Sequence, residues 1–550
     1  MTGTAPRRSG TAPPPARAGI GPGLARAALG IGVVTVAARL LGFGRVVVFS
    51  HSVGTTTCLG SAYFTANTVP NVLFEVVAGG ALAGAVVPVL AGPVEEGDAD
   101  AAGRTGSALL CWALLVLTPV AVLAAVLARP VVGLFFDSGS AGCDGAEVTA
   151  VAARMLLVFA PQVVLYGVGI VLIGVLQARR RFLGPALAPL LSSAVVIAAY
   201  LAYAVQTAGG PAELASLSTA RELTLSVGTT LGVAVLSLSL LVPLRRTGLR
   251  LRPSLHFPPG VAAKVRRLAL AGAVGLAAQQ ASVVVVLRLA DTAQPRGGIV
   301  LYNLAWTLFL LPWAVLAVPI ATSAFPVLSG RAAAGDAAGY AGTAAATTRA
   351  VVLVTAAAAA VLVAAALPTA RMLVLGTPGD PDPVELARGL IAFAPGLVGY
   401  GLVAHVGRAL YAGGAGRAAG VATVAGWLTV AVADIALVAA FPAGWTVAAL
   451  GAGNTVGMTV AGGLMVRSLG RRTAGAGLAG VPRALAVALP AAAAAAVVGW
   501  LVAGLLPVTG TLGSSVTAAV VAAAVVAVFG VVALVADAED LRTLRGLARG

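Results

Sequence analysis

The chain is a succession of apolar runs of about 20 residues or more, divided by short polar turns. A run of that length crosses a hydrocarbon layer of about 30 Å as a helix, and only a helix satisfies all of its backbone hydrogen bonds within one lipid-facing segment. Fourteen runs can be marked, at 27–53, 62–91, 107–136, 150–177, 184–206, 222–244, 268–292, 299–329, 347–373, 385–412, 419–441, 446–467, 484–506 and 514–536. Hydrophobic residues make up 59% and charged residues 10%, against about a quarter charged in soluble domains. The expected fold class is an all-α polytopic membrane protein.

The net charge of +16 needs a topological explanation, because neither a nucleic-acid-binding motif nor a soluble basic domain accompanies it. Cytoplasmic loops collect Lys and Arg. With the spans placed alternately, Arg179 to Arg181, Arg245, Arg246, Lys264, Arg266, Arg267, Arg417, Arg467, Arg471 and Arg472 fall on one side with both termini. The opposite loops carry only Arg221 and Arg296. Both termini are therefore expected in the cytoplasm, residues 1–26 as a disordered basic tail and 537–550 as a second tail. The basic linker 245–267 marks topology and meets anionic lipid head groups. No signal peptide is expected, since no cleavage site follows a short apolar core.

Cys58, Cys111 and Cys143 lack metal-ligand spacing, which argues against a metal site, while Cys58 and Cys143 on the outer side admit one disulfide. No Walker loop, HExxH or GxSxG motif occurs, so a transporter rather than an enzyme is expected.

Phe159-Ala160-Pro161 with Tyr166-Gly167 recurs as Phe393-Ala394-Pro395 with Tyr400-Gly401, an offset of 234 residues. Pro88-Val89-Leu90-Ala91-Gly92 recurs as Pro326-Val327-Leu328-Ser329-Gly330, an offset of 238 residues. The offset covers six spans, so the repeats enter the membrane in the same direction. Two six-helix lobes follow, at 27–244 and 268–467, with the two helices of 484–536 packed outside them. A cavity between the lobes, served by alternating access, is the expected substrate site.

Several polar residues lie where hydrocarbon should be, which is tolerated where they face a cavity or a partner. Arg39 and Arg45 can reach one cavity at different depths and suit an anionic phosphate-bearing head group. The alternative is that Arg45 extends to the interface while Arg39 pairs with a carbonyl or with Glu75. Asn67 and Asn71 flank Pro70, where the helix loses a backbone hydrogen bond, and serve either the cavity or helix packing. Glu75, one turn on, is expected to partner an Arg. Arg288 and Asp291 read as an interfacial pair, and His405 with Arg408 as a core His and an inner-edge Arg. Asp434, an acid in the middle of a span, together with Asn454 and Thr455, offers oxygens to Na⁺ or a proton.

The motif RLLGFGR at 39–45, followed by A-x-T-x-P-N at 66–71, G-G-A-L at 79–82 and V-P-x-L at 87–90, resembles the MurJ/MviN family of lipid II flippases. That family lies within the multidrug/oligosaccharidyl-lipid/polysaccharide exporter superfamily. The resemblance continues through QARRRFLGPALAP at 177–189 and YNLAWTLFLLPWAVLAVPIATSAFPVLSGRAAAGD at 302–336, and looks closest to the actinobacterial-like branch.

It implies translocation of lipid II, or a related undecaprenyl-diphosphate glycan, to the outer leaflet of the bacterial plasma membrane for peptidoglycan synthesis. Membrane lipids and cell-wall synthesis proteins are the implied partners, and nucleic acid is not. Arg39 and Arg45 match the cationic cavity residues of the family's first helix, and Asp434 lies near where some members are thought to hold Na⁺; with the residues read above, the expected substrate-binding set is Arg39, Arg45, Asn67, Asn71 and Glu75, and the expected ion-coupling set Asp434, Asn454 and Thr455. No cofactor is implied beyond a coupling Na⁺ or H⁺, or the membrane potential. The chain departs from many members at Ser61, Thr68 and Glu75, where an acid, a Lys and an Arg are usual. Alternatives are a flippase for another polyprenyl-linked glycan, a cation-coupled multidrug exporter of the same superfamily, or a membrane scaffold.

Overall fold

The computed structural model describes residues 22–76, 96–135, 143–179, 181–207, 217–249, 252–258, 260–294, 297–379, 381–506 and 510–536, with a few single positions between them. The two basic tails expected at the termini lie outside these residues apart from 22–26, as does most of the Pro88–Gly92 repeat. Every described element is helical.

The first half contains α1 (Pro22–Ser52), α2 (Cys58–Phe74), α3 (Ala99–Val126), α4 (Gly145–Phe159), α5 (Gln162–Ala178), α6 (Leu183–Thr207) and α7 (Thr219–Leu238). The second contains α8 (Val261–Ala293), α9 (Gly298–Pro312), α10 (Val318–Ala333), α11 (Ala337–Ala364), α12 (Pro383–Phe393), α13 (Gly396–Ala412), α14 (Gly416–Ala440) and α15 (Thr446–Arg472). α16 (Val481–Leu505) and α17 (Gly510–Ala536) close the chain.

Among the described residues eleven helices are long and apolar enough to cross a membrane, or twelve if the pair α12 and α13, bent by 44°, counts as one span. α1 matches the expected run 27–53, and α2 opens the run 62–91, whose later part lies outside the described residues. The expected linker 245–267 is shorter than its sequence suggests, because α8 begins at Val261. Its first turns carry Lys264, Arg266 and Arg267, charges that fit the end of a long helix as readily as a loop.

The duplication is visible in the packing. α1 packs on α6, α2 on α4, α3 on α5, and α7 on α4, α5 and α6. In the second half α8 packs on α14, α9 on α12, α11 on α13, and α15 on α12, α13 and α14. The Phe-Ala-Pro echoes fall at equivalent places, the breaks between α4 and α5 and between α12 and α13.

Helix starts repeat as well. Asp98 and Asp336 cap α3 and α11 by accepting from Ala101 N and Gly339 N, both at 2.8 Å. Asp144 and Asp382 cap α4 and α12 through Ala146 N at 2.9 Å and Val384 N at 2.8 Å. These acids satisfy first-turn N–H groups that no helix can pair internally, and they explain why α3 and α11 start 8 and 10 residues before the apolar runs at 107 and 347. α16 and α17 pack against each other and against α11.

Candidate functional site

Between the halves lies a cavity of about 690 Å³. α1 supplies Arg39, Gly42, Phe43 and Arg45, α6 supplies Pro189, Ser192 and Ser193, and the second half contributes Thr307, Leu310 and Leu311 from α9. Arg39 and Arg45 are six residues apart, which separates them by about 9 Å along the helix axis. Both line this one cavity, Arg39 exposed and Arg45 half-buried. Among the described residues no Asp or Glu lines it, and neither guanidinium forms an ion pair. The pairing of Arg39 with Glu75, the alternative left open by the sequence, is absent among the described residues.

α2 behaves differently from the expectation. Asn67, Asn71 and Glu75 are not among the residues lining this cavity. The Asn67 side-chain oxygen is buried without a hydrogen-bond partner, Asn71 is exposed and Glu75 is half-buried. The spacing places the three on one side of a helix, but only tertiary packing sets which neighbour that side meets. α2 turns its Tyr63 inward instead, where the hydroxyl meets Tyr200 Oη at 2.7 Å and Thr229 Oγ1 at 2.6 Å.

At the opposite end the halves are joined. Thr55 and Thr377 share a hydroxyl–hydroxyl hydrogen bond at 3.2 Å, and Thr56 Oγ1 donates to Gly379 O at 2.6 Å. Ser61 Oγ accepts from Gly297 N at 3.1 Å, and Thr65 Oγ1 donates to Asp291 Oδ2 at 2.6 Å. Gly297 has φ +81°, and a Cβ there would lie 2.0 Å from Thr55 O, so the two backbones touch. Cys58 and Cys143 form a disulfide at this end. Asp291, expected to pair with Arg288, is fully buried and bonded to Thr65 across the halves. These closure residues are short, common and uncharged apart from Asp291; the sequence singled out that acid, and Ser61 only as a departure from the family, while Thr55, Thr56 and Thr65 carried no signal.

A second polar site lies inside the second half. Asp434 on α14 is 0% exposed and Asn454 on α15 is 2% exposed. Neither side chain has a hydrogen-bond partner among the described residues. A Cβ on Gly453 would fall 1.9 Å from Asp434 Oδ1, so the carboxylate presses on the α15 backbone beside Asn454. Oxygen donors of this kind suit a hard monovalent cation or a proton. Thr455 has another task, since its hydroxyl donates to Ala392 O at 2.6 Å and accepts from Gly396 N at 3.2 Å, stitching the break between α12 and α13. His405 and Arg408 behave as core and edge residues: His405 Nε2 meets Thr347 Oγ1 at 2.9 Å and Arg408 Nη1 donates to Ala404 O at 2.6 Å.

Comparison with known proteins agrees with this architecture. A protein from Synechocystis sp. described as probable lipid II flippase MurJ is 30% identical over 233 residues, 42% of this chain and 42% of its own. One from Rhizobium tropici with the same description is 29% identical over 229 residues, 41% of this chain and 40% of its own. The chain thus aligns with less than half the length of these curated relatives.

Among solved structures, a lipid II flippase MurJ in an inward closed conformation superposes with a TM-score of 0.71 at 17% identity, covering 92% of this chain and 99% of that one. An inward-facing multidrug resistance MATE family transporter gives 0.65 at 14% identity, covering 80% and 95%. At such identities the likeness is one of fold. A family model described as "Lipid II flippase MurJ" matches residues 49–521, and with that match over most of its length the chain belongs to the MurJ family.

Proposed function

We propose that the chain moves a polyprenyl-diphosphate-linked glycan, lipid II in the first instance, from the inner to the outer leaflet of the plasma membrane by alternating access. The observation that carries this reading is the cavity between the halves, lined by Arg39 and Arg45 and, among the described residues, by no acid. Two guanidiniums at different depths suit a diphosphate, whose oxygens accept paired charge-assisted hydrogen bonds. A cavity for cationic drugs would need acidic lining instead.

The arginine-rich end faces the cytoplasm in this reading, with both termini on that side. The Cys58–Cys143 end faces outward, where an oxidising compartment preserves disulfides. The head group enters from the cytoplasmic end and its diphosphate meets Arg39 and Arg45, while the polyprenyl chain stays in the bilayer beside α16 and α17. Outward opening then requires the Thr55, Thr56, Ser61 and Thr65 contacts to part, each a hydrogen bond worth about 1 kcal/mol net. Asp434 and Asn454 take up Na⁺ or a proton to reset the cycle, or the membrane potential does so, at about 2.3 kcal/mol per charge per 100 mV. Cell-wall synthesis proteins would receive the product at the outer face.

The test is complementation. Expressed in a bacterium depleted of its own lipid II flippase, the chain should restore growth and outer-leaflet lipid II. Resistance to cationic dyes without such restoration would reverse the assignment.

A further inference from the structure

At the arginine-rich end of the second half, the start of α14 and the last turns of α15 enclose a cavity of about 510 Å³, away from the one described above. Arg417 reaches it from α14, and Arg467, Arg471 and Arg472 from α15, while among the described residues no Asp or Glu lines it. Arg472 is tied down, with Nη1 donating to Gly413 O at 3.0 Å. Arg417, Arg467 and Arg471 are exposed, and among the described residues none of the three forms an ion pair. α14 also begins here with no side-chain cap at Ala415, so its first N–H groups and the positive end of its dipole add to the same field.

A topology signal accounts for arginines at this end, but it requires only their number on one side of the membrane. It does not require four of them, from two helices, to converge on one concave site. Like charges gathered without an acid repel one another, and a bound anion relieves that repulsion while accepting their hydrogen bonds. Toward the membrane the same cavity is apolar, with Val421 62% and Leu464 38% exposed along its wall. A cationic floor continuous with an exposed apolar wall, at the level where head groups lie, matches a phosphodiester head followed by an acyl chain.

We propose that this cavity binds an anionic phospholipid, with its phosphate on Arg417, Arg467 and Arg471 and an acyl chain along Val421 and Leu464. The lipid clamps α14 to α15, the pair that carries Asp434 and Asn454. The inference stands on the geometry of this cavity and does not depend on which glycan the chain moves.

Native mass spectrometry of the full-length protein, titrated with phosphatidylglycerol, phosphatidylcholine or inorganic phosphate, provides the test. The variant is Arg417→Gln with Arg467→Gln and Arg471→Gln, sparing Arg472 because of its bond to Gly413. The control, Arg104→Gln with Arg245→Gln and Arg266→Gln, makes the same charge change at the same end outside the cavity.

Wild type and control should hold phosphatidylglycerol at least about tenfold tighter than phosphatidylcholine, and the glutamine triple should lose that preference. Replacing the same three arginines by lysine guards against misfolding, and this charge-preserving variant should keep the preference. Retained preference in the glutamine triple, or equal loss in the control or the lysine variant, overturns the proposal. Equal affinity for both lipids with binding of inorganic phosphate would assign the cavity to free anions and overturn the lipid.

Discussion

Thr65 on α2 donates to Asp291 on α8 at 2.6 Å, and this hydrogen bond joins the two halves at the end opposite the arginine-lined cavity. The second carboxylate oxygen of Asp291 has no hydrogen-bond partner among the described residues, so Thr65 supplies the hydrogen bond that this acid makes across the halves. Breaking one hydrogen bond to a buried charged group costs about 1–3 kcal/mol. Thr65→Val should therefore weaken closure at this end by about tenfold or more in the equilibrium between closed and open forms. Spin labels at Ala146 and Val384, in a background with Cys111→Ser, should show a larger long-distance population in the variant. An unchanged distance distribution would mean that Thr65 and Asp291 do not hold the halves together.

In the proposed orientation the Cys58–Cys143 disulfide lies at the end that meets the oxidising compartment. In intact cells a membrane-impermeant maleimide should label Cys58 and Cys143 only after reduction, and should leave Cys111 unmodified because it lies within the span of α3. Labelling confined to inside-out vesicles would invert the proposed orientation.

Asp434 and Gly453 form a tight approach between α14 and α15, since a Cβ at Gly453 would fall 1.9 Å from Asp434 Oδ1. Gly453→Ala should lower stability by about 1–3 kcal/mol, the usual range for overpacking, seen as an earlier thermal transition in detergent. Asp434→Asn keeps the volume and removes the charge. It should leave the thermal transition in place while abolishing any dependence of transport in proteoliposomes on a Na⁺ or H⁺ gradient. Gradient dependence that survives in Asp434→Asn would remove this residue from the coupling site.

Much of the fold was legible because membrane helices announce themselves by length and hydropathy. The Phe-Ala-Pro echo marked equivalent breaks at Pro161 and Pro395, where the chain ends one helix and starts the next and the proline lacks the N–H that a continuous helix would use. Arg39 and Arg45 were legible for an energetic reason: a guanidinium in a membrane span needs a polar environment, and the cavity provides it.

The α2 residues were not. Asn67, Asn71 and Glu75 share a helical side by spacing, yet what that side faces depends on how α2 packs against α4, α8 and α9. Thr55, Thr56 and Thr65 carried no signal, and Ser61 stood out only as a departure from the family, because hydroxyls occur throughout membrane helices and acquire a role only from a partner more than 200 positions away in sequence. Thr455 shows the converse, its neighbour Asn454 lying beside Asp434 while its own hydroxyl is spent on the break at Pro395. The early starts of α3 and α11 came from Asp98 and Asp336, caps that hydropathy alone does not register.

The central claim is that Arg39 and Arg45 together hold the diphosphate of a lipid-linked glycan in the cavity between the halves. Its most direct measurement is lipid II translocation in proteoliposomes, comparing wild type with Arg39→Gln plus Arg45→Gln after matching their thermal stability. Loss of two charge-assisted contacts should reduce translocation at least about tenfold, with a parallel loss of lipid II binding. Undiminished translocation and binding in the double variant would contradict the assignment.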